Sequence, residues 1–283
     1  MRVFPEWARY LDLGDCALEG VDFRRHDAPE SYRKAVSFIK HDPLSLGAVI
    51  TTHKIDLLAA SRDLFTELDY HAQLMGEISV ISKRGGRLVG RAMDPVSSGL
   101  ALETFLPKGY WRRSGAEVFV IGAGGSAAAI TSYLLDGAHG RNRPPRITVS
   151  NRSNPRLREI ERIHKEIGEE VPRKYVHARE PEDNDAVVNR LPDYSMVINA
   201  TGLGKDAPGS PLTGQARFPR NGIAWEFNYR GDLEFLRQAR AQKEQRGLTV
   251  EDGWIYFIHG WTRVLAEIFN VDIPTEGKVF EDL

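Results

Sequence analysis

In the stretch Gly47 to Leu58, GAVITTHKIDLL, an apolar run ends on His53 and Lys54 before the pattern turns helical. A lysine at such a junction has two uses. Its ammonium can stand in water at the first turn of the next helix. Alternatively the strand delivers it into a cleft. There desolvation lowers its pKa, a carboxylate raises it again, and the side chain can exchange a proton with a bound hydroxyl. Thr51, Thr52 and His53 precede it and offer polar contacts, although Thr51 and Thr52 equally suit a packed strand.

A second stretch carries different chemistry. Gly122, Ala123, Gly124, Gly125 and Ser126 follow the strand-like AEVFVI and precede the helical run AAAITSYLL. Gly122 suits a tight turn. Gly124 and Gly125 let the backbone approach a pyrophosphate, whose charge a helix N-terminus favours. Ala127 replaces a third glycine and is still small enough for close helix–strand packing. Without a preceding strand this pattern is only a turn; with one it reads as a dinucleotide site. The next strand, RITVSNRS, ends in Asn151, Arg152 and Ser153 where an NAD site would carry an acidic residue. A guanidinium pairs instead with the 2′-phosphate of NADP. Arg156, one turn on, adds a second charge. The sequence therefore favours NADP, with a plain surface role for Arg152 as the alternative.

These side chains need elements to hold them. The chain has 283 residues, enough for two domains. From Glu19 to Leu106 short strands and helices alternate. GVDF reads as extended, and a helix from Pro29 has Asp27 as its N-cap and Tyr32, Val36 and Ile39 on one face. LGAVIT reads as a strand covered on both sides in a parallel sheet. A helix over IDLLAASRDLFTEL aligns Leu57, Ala60, Leu64 and Leu68, and a hairpin turns through Arg84-Gly85-Gly86-Arg87. Helical VSSGLALETFL and a linker, PKGYWRRSG, lead to the second half. There the succession of RITVSNRS, PRLREIERIHKEI, YSMVINAT and GIAWEFN predicts a doubly wound α/β domain. The last helix, in DGWIYFIHGWTRVLAEIF, is apolar almost all round and is expected to be buried between the halves.

Bulk properties narrow the partners. The formal net charge of -1 gives no electrostatic reason to expect nucleic acid or an anionic membrane. No apolar run has bilayer length, and MRVFPEWARY lacks a signal-peptide core. Cys16 is alone, which excludes a disulfide within the chain, and the eight histidines never fall into metal-binding spacing. The expectation is a cytoplasmic, metal-free protein acting on a small molecule as a monomer or homodimer.

Taken in order, VITTHK, GEISVISKRGGRLVGRAMD, GAGGSA, NRS, VINATGLG and DGWIYFIHG resemble the motifs of the shikimate/quinate dehydrogenase family, from Leu18 to Phe269. The resemblance implies an α/β fold of two domains: an N-terminal α/β substrate domain and a C-terminal Rossmann-type doubly wound NADP domain. Residues 1–105 would form the first, with 252–283 packing back on it, and residues 106–251 the second. It further implies an NADP-dependent oxidoreductase of aromatic amino acid biosynthesis. The reaction would be reversible hydride transfer between NADP and a secondary alcohol or ketone on a small cyclic polyol acid such as shikimate or 3-dehydroshikimate. Lys54 matches the family's lysine and Asp94 its aspartate, the two residues that flank the reacting hydroxyl. The chemistry asks for such a pair, because hydride leaves a carbinol carbon only as the O–H proton is accepted, and a carboxylate fixes the ammonium in place. Alone, Asp94 is equally an N-cap before Pro95. Thr201 and Gly202 fall on the family's cofactor loop. Tyr229 matches a tyrosine near nicotinamide and substrate, or is simply an amphipathic residue at a domain edge.

Departures from the family matter too. Ala48, Ser79 and Ala92 stand where members usually carry asparagines that hold ring hydroxyls, and Gly260 stands where a glutamine projects from the last helix. A site without those amides discriminates poorly for shikimate itself, with His53, Ser79, Thr51 and Thr52 as replacement contacts. Members also open with a strand and a serine loop that binds the substrate carboxylate. This sequence begins in what reads as the first helix, with Val3, Phe4, Trp7, Tyr10 and Leu11 as its buried face. Either the start lies upstream of Met1, or the clamp is lost and a strand edge is left bare. A catalytically silent nucleotide or metabolite sensor on the same scaffold is the alternative function.

Overall fold

The structure, a computed structural model, describes residues 4–168 and 170–283. The chain forms two compact units, Met1–Met93 with Ile258–Leu283, and Asp94–Phe257.

The first unit carries α1 (Phe4–Tyr10), α2 (Pro29–His41), β1 (Gly47–Val49), α3 (Lys54–Ser61), β2 (Glu67–Leu68), α4 (Tyr70–Met75), β3 (Val80–Arg84) and β4 (Arg87–Arg91). Its sheet has the order β1-β3-β4-β2. β1 and β4 both run antiparallel to β3, and β2 is parallel to β4. The β3–β4 hairpin turns on Gly85 at φ 53° and Gly86 at φ 79°. A two-residue hairpin turn of matching twist requires positive φ at both positions, which glycine adopts without strain. Ile78, Val80, Ile81, Leu88 and Val89 around that hairpin are buried, as are Tyr32, Val36, Leu57 and Leu58 of the helices.

Several local expectations are corrected in this unit. LGAVIT shrinks to three half-buried residues in an antiparallel edge strand, so its apolar run does not mark a parallel sheet covered on both faces. The helix over IDLLAASRDLFTEL ends in a 3-10 turn at Leu64. Thr66 and Leu68 instead pair along β4, because sheet hydrogen bonding overrides the helical spacing of the leucines. GVDF forms no strand, and its Val21 is exposed. Asp27 is not the N-cap; Ala28 is, and the Asp27 carboxylate accepts from the N–H groups of Ala28 and Arg24 in the preceding turn. In α1, Phe4 and Trp7 are buried as expected, but Tyr10 is exposed with its hydroxyl on Asp282, and Val3 lies outside the described residues.

The second unit begins with α5 (Asp94–Phe105) and α6 (Tyr110–Ser114), the latter inside the stretch read as a linker and anchored by buried Trp111. It continues through β5 (Val118–Ile121), α7 (Gly125–Leu135), β6 (Ile147–Asn151), α8 (Asn154–Ile167), β7 (Arg173–His177), α9 (Pro181–Val188), β8 (Met196–Asn199), β9 (Ile223–Glu226), α10 (Glu234–Arg246) and β10 (Thr249–Glu251). All six strands are parallel, in the order β10-β9-β8-β5-β6-β7. The strand order reverses between β5 and β8, the doubly wound pattern, and β5, β8 and β9 are buried at every position. α5 packs on α7 where Gly99 lies against the Tyr133 ring; a Cβ there would come within 2.2 Å of it.

The chain closes with α11 (Trp254–Phe269) and α12 (Lys278–Glu281). α11 is not apolar-buried all round: Ile258, His259, Thr262, Val264 and Leu265 are buried, while Trp254 and Ile255 are exposed. Its residues 254–257 fall in the second unit and the remainder in the first.

Candidate functional site

In the second unit the crevice at the switch point lies outside the C-terminal ends of β5 and β8, where a doubly wound sheet binds its ligand. Gly122 leaves β5 at φ 118° and donates its N–H to Ser150 of β6 at 2.8 Å. A Cβ on it would meet the Ala200 carbonyl oxygen at 2.6 Å, so both the conformation and the approach of the next loop require glycine. Gly124 is the N-cap of α7, and no side chain caps the helix. Above it a Cβ would meet nothing within 4 Å, so the first N–H groups of α7 face an open cradle of the kind a pyrophosphate fills. Ala123 is buried beneath, and Gly125 and Ser126 are half-buried.

Asn151 ends β6, and Arg152 and Ser153 follow it at the same end of the sheet. The Asn151 amide donates to the Ser153 carbonyl at 3.4 Å, and Arg152 and Arg156 are exposed. Thr201 and Gly202 follow β8, beside the glycine turn. The fold therefore assembles the glycine turn, the arginine loop and the Thr201 loop at one sheet edge, with a donor set that fits a dinucleotide carrying an extra phosphate.

The Thr201 loop rests on a group the sequence reading missed. Glu226, at the end of β9, is fully buried, and three N–H donors surround its carboxylate. The Asn199 amide donates to Oε2 at 2.7 Å; the Asn228 backbone N–H and side-chain amide donate to Oε1 at 2.9 and 2.7 Å. Burial, opposed by these hydrogen bonds, pushes its pKa up to about 7. In the sequence the only sign was a Glu ending an otherwise apolar strand, GIAWE, with Asn228 two residues on and Asn199 in the motif YSMVINAT.

The strands that precede Lys54 and Asp94 in the chain, β1 and β4, end at the same end of the first unit's sheet. Val49 of β1 pairs with Val80 of β3, and Val80 pairs with Arg91 of β4. β1 and β4 thus run in the same direction on either side of β3. Lys54 follows Val49 by five residues and Asp94 follows Arg91 by three. Lys54 opens α3, its carbonyl accepting from the Ile78 N–H at 3.5 Å, and Asp94 is the first residue of α5. Two side chains hold the exit of β4: the Asp69 carboxylate accepts from the Ala92 N–H at 3.1 Å and the Ser79 hydroxyl from the Met93 N–H at 2.7 Å.

Ser79 is itself buried, so its hydroxyl is engaged in that support. The His53 ring meets the Tyr32 hydroxyl at 3.1 Å and packs edge-on against Phe23. Thr51 and Thr52 are exposed. In the second unit Tyr229 packs against Phe257, ring centroids 4.4 Å apart, with Trp254 next to Phe257.

No family model matches the chain. A shikimate dehydrogenase (NADP(+)) of Shouchella clausii is 28% identical over 263 residues, 90% of this chain and 86% of that protein. Another, of Symbiobacterium thermophilum, is 28% identical over 82% of this chain and 72% of its own length. A third, of Streptococcus thermophilus, is 26% identical, and the match spans 58% of that protein. The crystal structure of shikimate 5-dehydrogenase from Listeria monocytogenes superposes with a TM-score of 0.72 at 18% identity, over 97% of this chain and 88% of that one. The chain is thus similar in sequence to curated shikimate dehydrogenases over most of its length. Its fold is that of the two-domain shikimate dehydrogenases with a Rossmann-type nucleotide domain. None of the described helices is long and apolar enough to cross a membrane.

Proposed function

We propose that this chain is an NADP-dependent oxidoreductase of the shikimate dehydrogenase type, interconverting a secondary alcohol and a ketone on a small cyclic polyol acid. The observation that supports the reading is the register Val49–Val80–Arg91, by which the strands preceding Lys54 and Asp94 end at the same end of one sheet. Residues 1–105 with 252–283 serve the substrate and residues 106–251 the cofactor. Gly122, Ala123, Gly124, Gly125 and Ser126 would hold the pyrophosphate, Arg152 and Arg156 the 2′-phosphate with Asn151 and Ser153 beside them, and Thr201 and Gly202 the nicotinamide half. NADP, when bound, supplies the acceptor or donor of hydride.

Lys54 accepts the hydroxyl proton as the alcohol is oxidised and returns it in reduction. The role this reading gives Asp94 is to orient the Lys54 amino group, which must be neutral to take the proton in oxidation and charged to return it in reduction. Thr51, His53 and Tyr229 are the candidate substrate contacts; Ser79 acts on the substrate only through the backbone before Asp94. With Ala48, Ala92 and Gly260 in place of amides, the site makes fewer hydrogen bonds to ring hydroxyls, and discrimination among related ring ketones is correspondingly weak. The test is NADPH oxidation with 3-dehydroshikimate, 3-dehydroquinate and their amino analogues. Turnover of at least one, slower with NADH, supports the proposal; tight NADPH binding without turnover of any would make the chain a sensor.

A further inference from the structure

Glu226 lies in a chain of hydrogen bonds whose direction is fixed at every link. The Asn199 Oδ1 accepts from both the Thr201 N–H, at 3.1 Å, and the Thr201 hydroxyl, at 2.7 Å. Its amide must therefore point the NH2 at Glu226. The Thr201 Oγ1 in turn accepts from the Leu203 N–H at 3.2 Å. From the other side the Asn228 amide nitrogen also lies 3.0 and 3.2 Å from the carbonyl oxygens of Thr201 and Leu203, its two hydrogens shared among these and Glu226. Both amides that shape Thr201–Leu203 thus lean on one carboxylate, and all three groups are buried: Asn199 and Glu226 completely, Asn228 at 4% exposure.

We propose that Glu226 is a positioning residue for the cofactor loop, acting in its ionised form, so that proton uptake by Glu226 loosens Thr201–Leu203 and weakens NADPH binding. The inference rests on the cofactor reading of that loop. A carboxylate offers acceptors alone, which suits three donors. A proton on Oε2 would oppose the Asn199 NH2. Turning the Asn199 amide over relieves that clash but sets its NH2 against the Thr201 N–H, and the loop loses its anchor. A proton on Oε1 opposes the Asn228 backbone N–H, which cannot turn. Protonation replaces an acceptor by a donor on a carboxylate whose printed contacts are all donated to it, and so weakens the hold on the observed loop.

The charged group that bears on Glu226 among the described residues is Lys205, on the same loop, whose ammonium stands 3.3 Å from the Asp206 carboxylate. Lys205 favours the ionised form, and the neighbours from β8 and from beyond β9 are the uncharged Asn199 and Asn228. The balance between burial and these donors sets the transition near neutrality, at about 7.

The experiment measures two quantities in the parent protein, Glu226→Gln and Glu226→Asp: NADPH affinity by fluorescence titration across pH, and amide hydrogen exchange at Thr201–Leu203 without ligand. In the parent, affinity is expected to fall on the order of tenfold as pH drops through about 7. Glu226→Gln, which places an NH2 among donors, is expected to bind weakly at every pH, to lack that part of the pH dependence, and to exchange faster at Thr201–Leu203. Glu226→Asp is expected to retain part of the pH dependence. Titration of the cofactor's own phosphate is common to all three proteins and cancels in the comparison. Parent and Glu226→Gln showing the same affinity profile and the same exchange rates would overturn the positioning role. A parent protein that binds no NADPH at any pH would overturn the cofactor reading itself, and exchange at the loop would still report whether Glu226 orders it.

Discussion

The Ser79 hydroxyl accepts a hydrogen bond from the Met93 N–H at 2.7 Å, one residue before Asp94. A hydroxyl just before one hairpin strand thereby fixes the backbone that leaves the other. Ser79→Ala takes the partner from the half-buried Met93 N–H at that exit and is expected to cost about 0.5–1.5 kcal/mol in urea unfolding. Because the next residue is Asp94, turnover should fall more than NADPH affinity does. A Ser79→Ala protein with unchanged stability and unchanged turnover would show that the Asp69–Ala92 bond alone sets the exit.

Arg152 and Arg156 stand exposed at the start of the loop and helix after β6. Replacing both by alanine removes charge-assisted partners for a 2′-phosphate, each bond being worth about 1.5–3 kcal/mol. NADPH affinity should drop by tenfold or more at low salt, while NADH affinity stays near the parent value, as measured by parallel titrations. An equal loss for both cofactors would place the arginines in general electrostatics rather than phosphate recognition.

His164 gives the second unit an acid limit. The Thr131 hydroxyl donates to the Ala127 carbonyl at 2.6 Å, so it accepts from His164 Nε2, and His164 Nδ1 accepts from the Tyr175 hydroxyl at 2.9 Å. The ring is held neutral: burial first, then the Arg173 charge, depress its pKa from 6.5 to about 3. Below 6.5 the unfolded chain takes up a proton that the folded chain refuses. Stability therefore falls as pH drops from 6.5 toward 3, at about 1.4 kcal/mol per pH unit. His164→Gln keeps a donor for Thr131 and an acceptor for Tyr175, and should flatten that part of the acid slope in urea titrations at a series of pH values. An identical slope would assign the acid loss to other groups.

The second unit was legible where apolar strands of four or five residues stood next to glycine or a cap. β5, β6, β8 and β9 are of that kind, and so is the Arg84–Arg87 hairpin, whose two glycines admit a single turn geometry. β7, RKYVH, was not legible, because at the sheet edge its residues are only half-buried and mostly polar. β2 was lost for a different reason: two residues pair along β4 inside a run whose leucine spacing is helical, and only the partner strand reveals them. α4 was missed although Asp69 caps it, because its six residues carry little periodicity. At the candidate site, the glycine turn and the arginine loop could be read from local pattern. Glu226 could not, since its role depends on Asn199 from another strand, and hydrogen-bond direction is a property of the assembled edge.

The most direct measurement is steady-state turnover of Lys54→Ala beside the parent, with NADPH affinity measured on the same samples. With Lys54 carrying the proton, turnover of whichever ring ketone the parent reduces should fall by about 10²–10⁴-fold while NADPH binds as before. Lys54→Ala turning over at the parent rate would contradict the assignment of proton transfer to Lys54 and, with it, the proposed reaction centre.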